Sequence, residues 1–174
     1  MATPPDQASS RVKGISILAI VFCFISACQA ANHTEHTDFL TLVKINELKL
    51  EIYDQQGQCA IRMNNAPNNA PTSELLDIPY PCGFVRASKV PIAQTYHYQG
   101  VGQVFVVAGP LADKKDYREN AGVNFKHMCS NQGQAIIIRD SKLTLRKSQN
   151  IPLGFCHQLG FDEKDYYGFA YPVD

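Results

Sequence analysis

The sequence predicts a mainly β fold: a small disulfide-bridged β-sandwich or open-barrel-like domain with short helical turns, with an α+β fold as the alternative. Two observations support this prediction. Roughly seven short segments show the alternation or the continuous apolar run that is typical of strands, and turn residues separate them. An even number of cysteines lies among these segments, as in many small exported domains.

The predicted strands follow one another along the chain with few convincing helices between them. The clearest strand is residues 104–108, an apolar run that suits the centre of a sheet, and the clearest hairpin joins residues 135–139 to 142–146. Further strands are predicted at residues 48–52, 59–63, 83–87, 94–98 and 167–171. Asp162 and Glu163 can begin one helical turn before the last strand. Residues 64–72 are predicted as an exposed loop, and residues 112–120 as a loop or a short solvated helix.

The first 27 residues have the layout of a secretory signal peptide. Arg11 and Lys13 precede residues 15–27, a run without charged side chains that ends in the small residues Ser26 and Ala27. This run is shorter than the roughly 20 apolar residues that cross a bilayer. We therefore expect removal of residues 1–27, a flexible tether at residues 28–38, and a single β-rich globular domain at residues 39–174.

Two cleavage sites fit the end of the signal peptide. The sequence ISAC at residues 25–28 resembles the lipobox of bacterial lipoproteins, in which the cysteine is acylated and becomes the first residue of the mature protein. The resemblance implies lipidation of Cys28, contact with a membrane through the lipid anchor only, and, with Gln29 following, a place on the periplasmic side of the outer membrane. Alternatively, CQA at residues 28–30 serves an ordinary signal peptidase, and the product is soluble in the periplasm or secreted.

The four cysteines downstream of the leader are expected to form two disulfides, because an exported chain meets an oxidising compartment. We favour pairing of Cys59 with Cys82 and of Cys129 with Cys156 over the other two connectivities, because each favoured pair closes a loop of modest length. A zinc site is the rival interpretation, but the chain contains no C-x-x-C pair.

Several side chains could carry catalysis, but their spacing does not require it. Cys156 and His157 could pair as a nucleophile and a base, yet adjacent residues of a strand point to opposite faces and a disulfide removes the thiol. His33 and His36 could share a metal ion, but both lie in the predicted flexible tether. A hydrolytic or metal site could use His97, His127, His157, Asp162, Glu163 and Asp165. Without a catalytic motif, no catalytic residue, metal or cofactor is predicted, and an enzyme is the less favoured class.

Surface chemistry favours a protein partner. The predicted domain is rich in tyrosine, the chain has no tryptophan, and tyrosine is a residue that protein interfaces use for large amphipathic contacts. Two predicted loops, residues 64–80 and 112–118, combine exposure with such residues. The candidate contact residues are Tyr80, Lys114, Lys115, Asp116, Tyr117 and Arg118.

The expected function is that of an exported envelope lipoprotein that binds another protein, for instance as an inhibitor or an immunity factor. Removal of residues 1–27 takes two basic residues and one acidic residue from a balanced chain, so the mature protein is nearly neutral. A nearly neutral chain without a basic block argues against nucleic acid as the partner. The alternatives are an envelope hydrolase with a histidine and carboxylate site, and a carrier of a small ligand with its pocket beside residues 104–108.

The lipobox resemblance makes a testable prediction about Cys28. Replacing Cys28 by Ser removes the thiol to which lipid is attached, so the protein should move from the membrane to the soluble fraction, as measured by fractionation and immunoblotting. A mature protein that begins at Ala31 would instead identify the ordinary peptidase site. An unchanged membrane fraction with an intact leader would show that residues 15–27 act as an uncleaved anchor.

Overall fold

The computed structural model describes residues 39–64, 70–87, 90–119 and 125–172. The predicted leader and tether, with Cys28, His33 and His36, lie outside these residues. Among the residues that are described, no helix is both long and apolar enough to cross a membrane.

The described ranges contain ten strands and two helices. The strands are β1 Leu42–Ile45, β2 Leu48–Gln55, β3 Gln58–Asn64, β4 Thr72–Pro79, β5 Gly83–Phe84, β6 Thr95–Tyr98, β7 Gly102–Ala108, β8 Cys129–Arg139, β9 Lys142–Leu145 and β10 Gln149–Cys156. The helices are α1 Lys114–Glu119 and α2 Glu163–Ala170, and a 3-10 turn spans Phe125–His127.

The first sheet is an antiparallel meander in the order β1-β2-β3-β4. Successive side chains of a strand point to opposite faces, so alternate residues of β2 and β3 share one face. Leu50 of β2 lies opposite Met63 of β3, and Ile52 lies opposite Ile61. All four are buried on the face that meets the second sheet.

The second sheet has the order β10-β8-β7-β5, with β6 also paired to β7 and β9 also paired to β8. Its two central strands, β7 and β8, are buried on both faces. Phe105 and Ile136 enter the core between the two sheets, whereas Val104 and Ile137 enter a second core on the opposite face. A strand covered on both faces has a continuous apolar sequence, which is why residues 104–108 show no alternation.

Helix α2 covers the outer face of the second sheet. Asp162 caps its first turn, because the side chain accepts a hydrogen bond from the Lys164 amide over 2.9 Å. Tyr166, Phe169 and Ala170 lie three and four residues apart and are buried in the second core. The layers are therefore sheet, sheet and helix, and the prediction of a small disulfide-bridged β domain is confirmed.

Both disulfides have the predicted pairing. Cys59 of β3 bonds to Cys82, which immediately precedes β5, so this bridge joins the first sheet to the second. Cys129 and Cys156 are cross-strand partners in β8 and β10. The thiols of these cysteines are therefore not available for zinc or for nucleophilic catalysis.

Three elements differ from the sequence prediction. Residues 167–171 were expected as a strand, but Tyr167 lies in α2, because the helix buries Tyr166 and Phe169 against the sheet. Strands β4 and β10 were not expected. β10 contains a prolyl residue, and its pairing with β8 is interrupted between Asn150 and Phe155, so its sequence lacks a regular alternation.

Candidate functional site

The predicted contact residues fall into two places in the fold. Tyr80 follows β4 and is 40 % exposed. Lys114, Lys115 and Arg118 are exposed on α1. Lys115 pairs with Glu119 over 3.7 Å, and an exposed pair of this kind contributes little to stability. Pro79, which precedes Tyr80, lines one cavity together with Asp113 and Asp116, and the binding role of Tyr80 and of α1 stays a prediction.

Tyr117 was expected to be an exposed anchor, but its side chain is partly buried, and its role in binding stays a prediction. Its hydroxyl donates to the Cys129 carbonyl over 3.1 Å and accepts from the Cys129 amide over 2.6 Å. Its ring packs beside Ala112, Leu153 and the Cys129–Cys156 bridge. Burial is the main cause that raises the pKa of the Tyr117 phenol, so the hydroxyl stays protonated. Tyr117 therefore holds α1 against β8.

Asp116 lines a groove of about 500 Å³ beside α1, which Ile151 and Pro152 also line. Its carboxylate accepts hydrogen bonds from the Asn131 side-chain amide over 2.8 Å and from the Asp113 amide over 3.2 Å. These bonds attach α1 and the preceding loop to β8. Asp116 therefore has a structural role that the sequence did not indicate.

The histidines and carboxylates of the hydrolase alternative have unlike surroundings. His97 is exposed on the edge strand β6, and His157 is buried after β10. Asp162 caps α2, and Asp165 is exposed on the same helix. Across the described ranges, no group of three or more His, Cys, Asp or Glu side chains is placed to hold a metal ion.

His157 belongs to a buried hydrogen-bond network. Its Nε2 lies 3.1 Å from the Ser130 hydroxyl and 3.1 Å from the Gly109 carbonyl, and Ser130 donates to that carbonyl over 2.6 Å. Burial lowers the pKa of His157 to about 4, with a smaller contribution from the positive charge of Arg86. A serine beside a histidine can suggest a nucleophile and its base, but Ser130 and His157 are closed to solvent. The arrangement stabilises the core where β8 and β10 meet.

Three tyrosines form an exposed cluster where α2 meets β6, here called the tyrosine patch: Tyr98, Tyr167 and Tyr171. The ring centroid of Tyr98 lies 6.0 Å from that of Tyr167 and 5.9 Å from that of Tyr171, in edge-to-face arrangements. The Tyr167 and Tyr171 centroids are 4.7 Å apart. Tyr167 is 57 % exposed and Tyr171 is 40 % exposed, so much of the cluster faces solvent.

Hydrogen bonds fix two rings of the tyrosine patch in place. The Tyr98 hydroxyl donates to the Glu163 carbonyl over 3.1 Å, and the Tyr171 hydroxyl donates to the Gln99 carbonyl over 3.2 Å. Partial burial and then the Glu163 carboxylate raise the pKa of Tyr98, so this hydroxyl remains a donor. Aromatic rings that are held before binding lose little conformational freedom when a partner covers them.

Sequence reasoning did not single out the tyrosine patch, although a local signal was present. Tyr167 and Tyr171 are four residues apart, which places them on one face of a helix and equally on one face of a strand. Asp162 before Glu163 was the matching helix start. Contact with Tyr98, distant in sequence, depends on α2 packing beside β6 and has no local signal.

The position of Tyr117 predicts a loss of stability on removal of its hydroxyl. Cys129 has no exposed surface, and Tyr117→Phe removes the hydroxyl that accepts a hydrogen bond from its amide. The loss of this partner should lower the free energy of unfolding by about 1–3 kcal/mol. Urea unfolding of the variant and the parent measures this cost. Tyr53→Phe, which removes a hydroxyl from two exposed hydrogen bonds, to Gln55 and to Ser73, is the control and should cost less. Equal stability of Tyr117→Phe and the parent would contradict the structural role.

The buried His157 predicts a dependence of stability on pH. Its folded pKa of about 4 lies below the unfolded value near 6.5, so between these values the unfolded chain binds a proton that the folded chain does not. The free energy of unfolding should therefore fall as the pH falls, by about 2 kcal/mol from pH 7 to pH 5, as measured by urea titrations. His157→Gln should reduce this difference, and His97→Asn, at an exposed position, should keep it. A difference unchanged in His157→Gln would assign the pH dependence to other groups.

The described residues thus present an exposed tyrosine patch, a groove beside α1 and a buried histidine network. No protein-family model matches the sequence, and no curated protein or solved structure matches it either. Function is inferred from the geometry of the chain's own residues.

Proposed function

We propose that this chain is an exported lipoprotein whose β domain binds another protein through the tyrosine patch. In this proposal, lipid on Cys28 holds the protein on the periplasmic side of the outer membrane, and the folded domain carries the binding surface. A role as an inhibitor or as an immunity factor that protects its own envelope is one purpose that such binding would serve.

The tyrosine patch is the observation that carries the proposal. Protein interfaces are enriched in tyrosine, and the residues that contribute most to binding cluster as aromatic anchors with a polar rim. Here the rings of Tyr98, Tyr167 and Tyr171 contact one another in solvent, and Glu163 and Lys164 lie beside them on α2. The patch thus combines aromatic area with nearby charges.

The surrounding fold supports binding by keeping the patch rigid. Helix α2 is anchored by Tyr166, whose hydroxyl donates to the Gln94 carbonyl over 3.0 Å, and by Phe169 in the second core. Strand β6, which carries Tyr98, is paired along its length with β7. Helix α2 and strand β6, which carry the three tyrosines, are therefore both fixed to the second sheet and its outer core.

The buried histidine favours binding over turnover. A general base must reach a substrate, but His157 is 1 % exposed and a pKa of about 4 leaves it neutral at ordinary pH. Its partner Ser130 has no exposed surface. The side chains most suggestive of hydrolysis thus serve the core, and no specific observation favours the hydrolase alternative.

The two disulfides support the export part of the proposal. Cys59, Cys82 and Cys129 have no exposed surface, and bridges are typical of chains that fold in an oxidising compartment.

The proposal predicts that Tyr167→Ala weakens binding while the fold is retained. The protein should be captured from the envelope with its bound partner, and the partner then titrated by calorimetry against parent and variant. If Tyr167 is an anchor, the variant should bind at least about fivefold more weakly, corresponding to 1 kcal/mol or more. Its melting temperature should change little, because Tyr167 is mostly exposed and alanine favours helix.

Tyr80→Ala tests the rival position in the same experiment, because Tyr80 is another exposed tyrosine and a candidate contact residue, but follows β4 on the other sheet. Loss of binding in Tyr80→Ala with full binding in Tyr167→Ala would move the interface to the end of β4 and contradict the patch. Full binding in both variants would exclude both tyrosines as anchors.

A further inference from the structure

A second concave surface lies on the opposite flank of α2 from Tyr98. It is a groove of about 410 Å³ between α2 and β10, here called the α2 groove. Phe155, Phe161 and Phe169 form its floor, and Lys164, Asp165 and Gly168 of α2 line its upper side. A volume of this size is typical of pockets that accept an organic group, and the lining is mixed, with phenyl rings at the base and charged and amide side chains around them.

The floor of the α2 groove is held in place by ring contacts. The Phe155 centroid lies 5.7 Å from that of Phe161 and 6.3 Å from that of Phe169. Phe155 also rests on the backbone of β8, because a Cβ atom at Gly133 would collide with its ring. The aromatic floor is therefore formed before any partner arrives.

Gly168 keeps the α2 groove open. It lies inside α2, where glycine is a weaker helix former than alanine, and neither its backbone conformation nor a neighbouring atom requires glycine. A Cβ atom at this position would meet nothing within 4 Å, because it would project into open space. This contrasts with Gly154, where a Cβ atom would lie 2.6 Å from Ile151. A larger side chain at position 168 would fill the groove instead of colliding with the fold.

The α2 groove and the tyrosine patch are parts of one continuous surface. Tyr167 and Gly168 lie three and four residues after Lys164, and Tyr171 lies three residues after Gly168, so these four residues form a single exposed stripe along α2 and its C-cap. A partner that covers Tyr167 and Tyr171 therefore also lies over the mouth of the groove. In many interfaces, the residues that contribute most to binding include an aromatic anchor, and this anchor lies beside a pocket that accepts an apolar side chain of the partner.

We infer that the α2 groove is the anchor pocket of this interface and accepts one uncharged aromatic or branched aliphatic side chain of the partner protein. The inference rests on the proposed function, because it assigns the occupant from the continuity with the tyrosine patch. The lining supports an uncharged occupant: Lys164 and Asp165 are neighbours of opposite charge, so the mouth attracts neither a cation nor an anion strongly. The phenyl floor favours an apolar group below that mouth.

The test uses N-acetyl-tryptophanamide as a probe for an aromatic side chain. The 174-residue chain contains no tryptophan, so the indole of the probe can be excited without a tryptophan background from the protein. Protein processed from the full chain should shift the emission of the probe to the blue in a saturable manner. Gly168→Leu should weaken probe binding at least tenfold, because leucine fills the groove.

Two further variants make this result interpretable. Lys44→Leu adds the same side chain at an exposed position of β1, on the other sheet, and should bind the probe like the parent. Gly168→Ala narrows the groove with a smaller side chain. It replaces Gly168→Leu if thermal melting shows that Gly168→Leu does not fold. No saturable shift with the parent, or equal probe binding by the folded Gly168 variants, would overturn the inference.

Binding of the captured partner separates this inference from the proposed function. If Tyr167→Ala loses the partner but Gly168→Leu keeps it, the groove is not the anchor pocket and the patch remains the interface. If both variants keep the partner with full affinity, the patch and the groove both fail. Loss of partner and probe together in Gly168→Leu, with an unchanged melting temperature, supports the anchor pocket.

Discussion

The pairing of β7 with β8 is the constraint on which the rest of the structure depends. In this register Phe105 lies opposite Ile136 in the core between the sheets, and Val104 lies opposite Ile137 in the core under α2. A slip by one residue would exchange the side chains between the two cores. Gly102 helps to fix the register, because its φ is +119° and a Cβ atom would lie 2.5 Å from the Ile138 carbonyl. β8 also pairs with β9 and β10, and β7 pairs with β5 and β6. The two halves of the second sheet are therefore joined through this pair.

Buried polar groups link the layers that this sheet organises. Gln134 of β8 accepts a hydrogen bond from the Asp77 amide of β4 and donates to the Arg146 carbonyl, each over 2.7 Å, so one side chain joins the two sheets. Ser130 of the same strand and His157 Nε2 lie within hydrogen-bond distance of each other and of the Gly109 carbonyl, whereas His157 Nδ1 is buried without a hydrogen-bond partner among the described residues. A buried polar group without such partners is costly, and these residues are therefore better explained as parts of the framework than as catalytic groups.

Helix α2 connects the framework to the proposed interface. Its inner face is committed to the core through Tyr166 and Phe169, and its outer face is left with Tyr167, Gly168 and Tyr171. The same eight-residue helix thus separates an aromatic cluster on the β6 side from a phenyl-floored groove on the β10 side. A rigid helix between two such surfaces suits recognition, because a partner meets both features in a fixed relation.

The sequence by itself determined the strands with a regular or continuous apolar pattern, because these follow from local periodicity and turn residues. It favoured the pairing of the cysteines by loop length but did not determine it, because four cysteines allow three connectivities, and the fold decided between them. Only the tertiary structure decided that Tyr117 lies against Cys129 and that Tyr167 belongs to a helix beside Tyr98. Tyrosine and phenylalanine favour strands locally, and α2 forms because its inner face is buried on the sheet. Contacts between residues far apart in sequence have no local pattern, and the surfaces that depend on them became visible only in the fold.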